Sequence, residues 1–472
     1  MNTSDLISLA PFLIIAAATV TVLLVIAFRR HHGIVLSLTV SGFVLALGAI
    51  WITAQLPDRS ITELFRVDLF AQFFTVLILA AGLAVSLLAY SYFRRLPEQH
   101  EEFYVLLLSA CLGAMVLTAS IHFASFFLGL EILTVSLYAM IAYVRTSDQG
   151  LEAGLKYLML AAVSSAFILL GMALVYAGSG SMSFATLLRG PAAEEPIFLS
   201  VGIGMIFVGV GFKLALVPFH LWTADVYEGA PAPVTAFIAT SSKTAVFAVL
   251  LRFLAAADLR PASPLFLALT LLALLSMLAG SFLGLLQRNV KRLLAYSSIT
   301  HAGYVIVALL AGGAAGRESA AFYLAVYVAT TLGAFGVVSM LSGSDGDATT
   351  EEHYQGLAWR RPWMALILSI MLLSLAGLPI TGGFTGKFFL VTAGVGASLW
   401  VPVAALVVSS IIGLFYYLRL LALLFAGPGD RIPVPGQISA AGSAVLTVLL
   451  YVVIWMGILP GTFLDAVQAA MR

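Results

Sequence analysis

Apolar runs long enough to cross a bilayer follow one another along nearly the whole chain, and that repetition limits the fold to one class. A bilayer core takes about 20 apolar residues per helix. Fourteen such runs can be read, at roughly 6–28, 34–55, 69–92, 103–121, 123–144, 150–177, 197–217, 232–254, 264–286, 292–312, 318–341, 362–379, 398–425 and 437–459. A shorter apolar piece, at about 384–395, follows the twelfth. In lipid every backbone polar group must be satisfied within the protein, so runs of this length are helices. A β-barrel would show alternating ten-residue segments, and these runs do not alternate. Only 10% of the residues are charged, against about 25% in a soluble domain. The expected fold is an all-α polytopic membrane protein, with residues 1–472 forming a single transmembrane domain. The longest polar connections, about 178–196 and 342–361, are too short and too polar to build a core and read as loops.

The connections carry an orientation signal. One alternate set holds Arg29, Arg30, Arg94, Arg95, Arg145, Arg288, Lys291, Arg292, Arg360, Arg361 and Arg431; the other holds Arg59, Arg66, Arg189, Arg260, Arg317 and Arg472. The richer set is expected on the cytoplasmic side, which puts both termini outside. The N-terminus has no basic segment and no small-residue cleavage site, so 6–28 reads as a retained span. A net charge of +1 offers no field for nucleic acid. The single cysteine, Cys111, lies mid-span, where it reads as a small core residue.

The charged residues inside the runs are the informative ones. Of five lysines, Lys156, Lys213, Lys243 and Lys387 fall in apolar segments, and Lys291 reads as part of an ordinary charged loop. Glu131 is similarly placed, in SFFLGLEILTVSLYAM. An ionisable group at membrane depth costs about 3 kcal/mol on insertion scales, and a chain that keeps several has a use for them. With lysine the natural use is carrying a proton. A lysine titrates ordinarily near 10.4; desolvation favours its neutral form, and a nearby carboxylate opposes that. Moving or strengthening the carboxylate would switch the lysine between holding and releasing its proton. The alternative is a static ion pair that orients helices.

Two runs are interrupted by proline and glycine: GVGFKLALVPFHLWTADVYEGAPAP (209–233) and SLAGLPITGGFTGKFFLV (374–391). Lys213 precedes Pro218 in the first, and Lys387 follows Pro379 in the second. The breaks are five spans apart, so the second runs upside down relative to the first, as in transporters built from inverted repeats. Proline in a helix frees backbone carbonyls, and carbonyls at a half-helix C-terminus favour an ammonium. Each break is therefore expected to hold its lysine near midplane.

The remaining candidates have two readings each. Lys156 lies near the cytoplasmic end of its span and could snorkel. His220 follows the first break, and His301 sits among hydroxyls in YSSITHAGY; each could relay protons or simply be hydrogen-bonded. Arg252 stays protonated and reads as a snorkelling or structural cation. GGFTGKFF (382–389) lacks the first glycine and the final Ser/Thr of a phosphate loop. The paired glycines of GIGMIFVGVG (202–211) suit close helix packing. No nucleotide, flavin, haem or metal site is readable.

The string KLALVPFHLWTADVYEGAPAPVTAFIATSSKTAVF (213–247) resembles the proton-channel signature of the antiporter-like subunits of respiratory complex I. The likeness extends to GLEAGLKYLMLAAVSSAFILLGMALVY (150–176), NVKRLLAYSSITHAGY (289–304) and LAGLPITGGFTGKFFL (375–390), and so to most of the chain. The loop YEGAPAPV and the lysine at 387 resemble the subunit N branch. The sister subunit M has glutamate in place of that lysine, and subunit L has a long C-terminal lateral helix, whereas this chain stops soon after its last span. The resemblance implies fourteen helices in two inverted five-helix repeats, at about 103–254 and 264–425, with broken helices near Pro218 and Pro379. It implies a channel glutamate at Glu131, a central lysine at Lys213, a connecting lysine at Lys243 and a distal lysine at Lys387. Lys156, His220 and His301 gain importance by position. It further implies proton translocation across a bacterial cytoplasmic membrane, with no cofactor in this chain. NADH and quinone would be handled by partner subunits carrying flavin and iron–sulfur clusters, beside other antiporter-like membrane-arm subunits. The rival expectations are a component of a multisubunit cation/proton antiporter and a structural membrane subunit.

Overall fold

The computed structural model describes residues 3–96, 100–185, 196–256, 261, 263–343, 346–427 and 439–472. Arg189, Arg260 and Arg431 of the orientation count lie outside the described residues. In chain order the elements are α1 (Thr3–Ser8), α2 (Ala10–Phe28), α3 (His32–Thr53), a hairpin of β1 (Arg59–Ile61) and β2 (Phe65–Val67), α4 (Leu69–Phe93), α5 (Glu102–Ala119), α6 (Phe123–Ile141) and α7 (Asp148–Ser179). They continue with α8 (Pro196–Leu214), α9 (Leu221–Gly229), α10 (Ala232–Phe237), a π-helical turn (Ile238–Ser242), α11 (Lys243–Ala256), α12 (Pro264–Leu285), α13 (Val290–Ala311) and α14 (Gly313–Leu341). The last are α15 (Glu351–Tyr354), α16 (Leu357–Arg360), α17 (Pro362–Ala376), α18 (Gly382–Gly396), α19 (Trp400–Phe425), α20 (Ala440–Ile458) and α21 (Gly461–Met471). Among the described residues thirteen helices are long and apolar enough to span a bilayer, the stretch from α10 to α11 counted as one, and the shorter apolar α17 accounts for the fourteenth run. The piece read at 384–395 is α18.

Local chemistry sets the helix ends. Asp68 caps α4 by accepting from Ala71 N at 2.9 Å, and Ser147 caps α7 by accepting from Gly150 N at 3.1 Å. Asn289 accepts from Lys291 N and Arg292 N, at 3.0 and 3.1 Å. That cap starts α13 earlier than its apolar run and draws Lys291 into the helix. Small residues bring helices together: a Cβ on Gly202 of α8 would lie 2.7 Å from the carbonyl oxygen of Gly171 on α7.

The core is made by the stretch from α10 to α11 with α13 and α14, which are buried along nearly their whole membrane-spanning length. The outlying α2, α3 and α20 leave most of theirs exposed for lipid or a neighbour. Ion pairs among the described residues tie together connections within each arginine set. On one side Arg30 meets Glu102, Arg292 meets Asp225 and Glu228, and Arg419 meets Glu351. On the other Arg59 meets Asp5, and Arg66 and Arg252 converge on Asp68. The two sets therefore mark opposite faces. From these faces the sense of each break follows. The chain runs along α8 and α9 toward the Arg292 face, and along α17 and α18 away from it, so the two broken helices are inverted.

Arg252 is a structural cation, as read. It donates to both Asp68 carboxylate oxygens, at 2.8 and 2.7 Å, and to Thr118 O, and its guanidinium lies 4.5 Å from the Phe70 ring centre. Burial pushes the Asp68 carboxyl upward, but the hydrogen bonds and charge of Arg252, the Ala71 N–H and the charge of Arg66 together hold the group below its ordinary value. The lock therefore contributes fully at pH values above the ordinary carboxylate range near 4.

Candidate functional site: a buried line of lysines and hydroxyls

At the first break, Lys213 stands one residue before the end of α8. Ala215 beyond it holds a left-handed φ of 60°, a conformation costing a non-glycine residue about 1–3 kcal/mol. The sequence led us to expect the freed carbonyls to bind Lys213, and here the structure differs. Gly211 O accepts from Leu216 N, and Phe212 O accepts from Ala215 N and from the Trp222 indole at 3.1 Å. With those acceptors occupied, Lys213 turns sideways. Its Nζ donates to Thr134 Oγ1 on α6 at 2.7 Å. Thr134 lies one helical turn from Glu131, on the same face. Glu131 in turn accepts from Ser165 Oγ on α7 at 2.5 Å. Among the described residues no ion pair within 4.0 Å joins Lys213 to Glu131, so the lysine reaches the helix of Glu131 through a hydroxyl.

Lys243 is the first residue after the π-helical turn, a distortion frequent at functional sites. Its Nζ donates to Ser298 Oγ on α13 at 2.5 Å, and Ser298 Oγ also meets the Tyr227 hydroxyl at 3.2 Å. Aromatic rings lie close to both lysines. Lys213 lies 6.0 Å from the Tyr157 ring centre, and Lys243 lies 6.0 Å from that of Tyr227. Trp222 bridges those two tyrosines, 5.1 Å from one ring and 6.5 Å from the other.

Beyond Lys243, α13 carries a row of polar side chains. Ser297 hydrogen-bonds the Tyr417 hydroxyl. His301 Nε2 lies 3.3 Å from the same hydroxyl, and its Nδ1 lies 2.5 Å from the Tyr323 hydroxyl. A neutral imidazole has one donor and one acceptor nitrogen, so His301 can accept a proton on one side and release one on the other. Further along α13, the Tyr304 hydroxyl accepts from Ser409 Oγ at 3.2 Å.

At the second break, Gly377 ends α17 with φ +83°, and a Cβ there would lie 2.8 Å from Lys387 Cδ. Glycine is thus required both by the backbone and by the lysine. Lys387 Nζ donates to Leu375 O at 2.8 Å, Ala376 O at 2.9 Å and Ser410 Oγ at 2.8 Å. The expected half-helix cage exists here. Its acceptors are the last carbonyls of α17, where the helix dipole is negative.

Other candidates lie off this line. Lys156 is 42% exposed and pairs with Glu152 and Asp225, at 2.7 and 2.8 Å. Asp225 also pairs with Arg292, which holds Glu228, so Lys156 belongs to a charged network at the membrane face. His220 is half-buried at the start of α9, and its Nδ1 has no hydrogen-bond partner among the described residues. Lys291 is the clear correction. It is no loop residue but fully buried, donating to Glu228 O at 2.8 Å, Ala230 O at 2.6 Å and Asp347 Oδ2 at 2.5 Å. The reason is physical: the C-terminal end of α9 needs a cation, and Asp347 neutralises it.

Thr134, Ser165, Tyr227, Ser297, Tyr323, Tyr417 and Ser410 were not singled out by sequence reasoning. Of the hydroxyl partners, only those flanking His301 had a signal, in YSSITHAGY.

A family model described as NADH:quinone oxidoreductase/Mrp antiporter, TM, matches residues 120–413, which takes in both breaks and all four lysines of the apolar segments. The chain belongs to this family. Within it, the chain is 46% identical to NADH-quinone oxidoreductase subunit N of Methylococcus capsulatus, over 99% of this chain and 95% of the relative. It is 45% identical to subunit N of Ectopseudomonas mendocina, over 98% and 96%. A chain of respiratory complex I from Thermus thermophilus superposes with TM-score 0.84 at 35% identity, covering 97% of this chain and 99% of that one. A chain of the Mrp complex from Dietzia shares the fold, with TM-score 0.86, at only 19% identity, covering 99% and 97%. Among the described residues no cluster of histidine, cysteine and carboxylate could hold a metal ion.

Proposed function

We propose that this chain is a proton-translocating membrane-arm subunit of an NADH–quinone oxidoreductase in a bacterial cytoplasmic membrane. The carrying observation is the row of hydroxyls and imidazole on α13, which lies between Lys243 and Lys387 in a helix buried along nearly its whole length. A proton taken up from the cytoplasm near Glu131 and Thr134 rests on Lys213 and reaches Lys243 past Tyr157 and Tyr227. It passes Ser298, Ser297, Tyr417 and His301, and leaves outward from Lys387. Where direct hydrogen bonds stop, as between Tyr323 and Tyr304 with ring centres 6.4 Å apart, a bridging water completes the transfer. Glu131 acts on the first lysine, and its hydrogen bond to Ser165 can strengthen or weaken. The inverted repeats at about 103–254 and 264–425 supply one lysine break each.

In this reading NADH oxidation and quinone reduction occur on flavin and iron–sulfur clusters of partner subunits, and antiporter-like subunits flank this one. The near-full-length likeness to subunit N supports complex I over a cation/proton antiporter. The test is direct. The chain should copurify with NADH-oxidising, flavin- and iron–sulfur-containing subunits, and Lys213→Ala should stop proton pumping in a fully assembled complex. Copurification with cofactor-free antiporter subunits would point to the second reading.

A further inference from the structure

A groove of about 760 Å³ opens at the Arg292 face of the bundle, away from the lysine line, between α2, α5 and α6. Its upper rim carries Arg30, Arg145 and Glu102, and its wall is made by Leu23, Val105 and Ala139. Arg30 and Arg145 lie just beyond the ends of α2 and α6, at Phe28 and Ile141. Leu23 lies five residues back along α2, or about 7 Å deeper at 1.5 Å per residue. The groove therefore changes from cationic to apolar over the depth at which a phospholipid changes from headgroup to acyl chain. Glu102 pairs with Arg30 at 2.8 Å, leaving the rim one positive charge in excess. Alanines at 139 and 142 leave the width an acyl chain needs, and Tyr143 sits at the interface, where aromatic residues are enriched.

We propose that this groove is a binding site for one anionic phospholipid of the cytoplasmic leaflet, its phosphate held by Arg30 and Arg145 and one acyl chain lying along Leu23, Val105 and Ala139. The opening at the outer face near Glu318 has no lysine or arginine in its lining, so it lacks the headgroup half of such a site. The one positive charge in excess at the rim favours a lipid over an apolar helix of a neighbouring protein, which would bring no anion to balance it. Basic pockets between membrane helices are a recognised way of holding such headgroups.

The assembled complex, extracted in mild detergent and stripped of loose lipid, is offered phosphatidylglycerol or phosphatidylcholine in mixed micelles, and retained lipid is counted by mass spectrometry. The intact protein should retain phosphatidylglycerol in preference to phosphatidylcholine. Arg30→Gln with Arg145→Gln should weaken that retention roughly 30-fold, from about a tenfold loss or less per arginine. Ala139→Phe, which fills the acyl track and keeps both arginines, should also lose the lipid. Displacement by inorganic phosphate alone would mean a free-anion site and overturn the proposal. So would unchanged retention in both variants, or an assembled complex in which a neighbouring subunit fills the groove and no lipid is retained. None of these outcomes depends on proton pumping, so the site and the proposed transport stand or fall separately.

Discussion

The two broken helices use one lysine each and solve the same problem differently. At the first, backbone and Trp222 take up the freed carbonyls, and Lys213 turns to Thr134, on the face of α6 that carries Glu131. At the second, Lys387 itself caps the last carbonyls of α17, with Ser410 as its third acceptor. The first lysine thus answers to an ionisable group that can change its charge, and the second to fixed backbone dipoles. A motif that looks symmetric in the sequence is asymmetric in its chemistry. In the proposed path this asymmetry would suit one end of the line to regulation and the other to a constant release site.

The sharpest break in that comparison comes from removing each lysine. Lys213→Ala should lower pumping per NADH oxidised by at least about 100-fold, the low side of what a positioned proton donor contributes, with the complex still assembled. Normal pumping would remove Lys213 from the path. At the second break the cage decides between substitutions. A carboxylate at 387 would face two carbonyls that need a donor, so Lys387→Glu should lose at least as much activity as Lys387→Ala. Retained activity in Lys387→Glu would mean that the carbonyls find other donors.

A smaller effect sharpens the comparison at the first break. A hydrogen bond to a charged group is worth about 1.5–3 kcal/mol. Water can replace part of that bond, so Thr134→Val should slow pumping several-fold, and Glu131→Gln should no longer add its full effect on top, since in the proposed path both act on Lys213. Full additivity of the pair would separate Thr134 from the glutamate. Smallest of all should be Lys156→Ala. It breaks partly exposed ion pairs worth about 0–1 kcal/mol, and Arg292 still holds Asp225. A loss as large as that of Lys213→Ala would bring Lys156 into the path.

Spans and breaks were legible in the sequence because lipid imposes length and apolarity on every crossing helix, and because lysine and proline are conspicuous against that background. The lysines of the line could be named for the same reason. Their partners could not. Thr134, Ser298 and Tyr417 are ordinary membrane-helix residues, and only packing chooses which hydroxyl meets which ammonium. Lys291 was misread because its apolar run begins at residue 292, while the cap that places it inside the helix is Asn289. The short hairpin at 59–67 and α21 escaped because neither is an apolar run of spanning length.

The central claim is that Lys213 works by gaining and losing a proton and not by its positive charge. Lys213→Arg tests it most directly, since arginine keeps the charge and can donate to Thr134 but holds its proton at working pH. Proton pumping per NADH oxidised should be measured in membranes containing equal amounts of assembled complex. The account predicts that Lys213→Arg assembles and fails to pump, as Lys213→Ala does. Pumping at the level of the unaltered protein would contradict it and leave Lys213 as a fixed cation that orients α6 and α8.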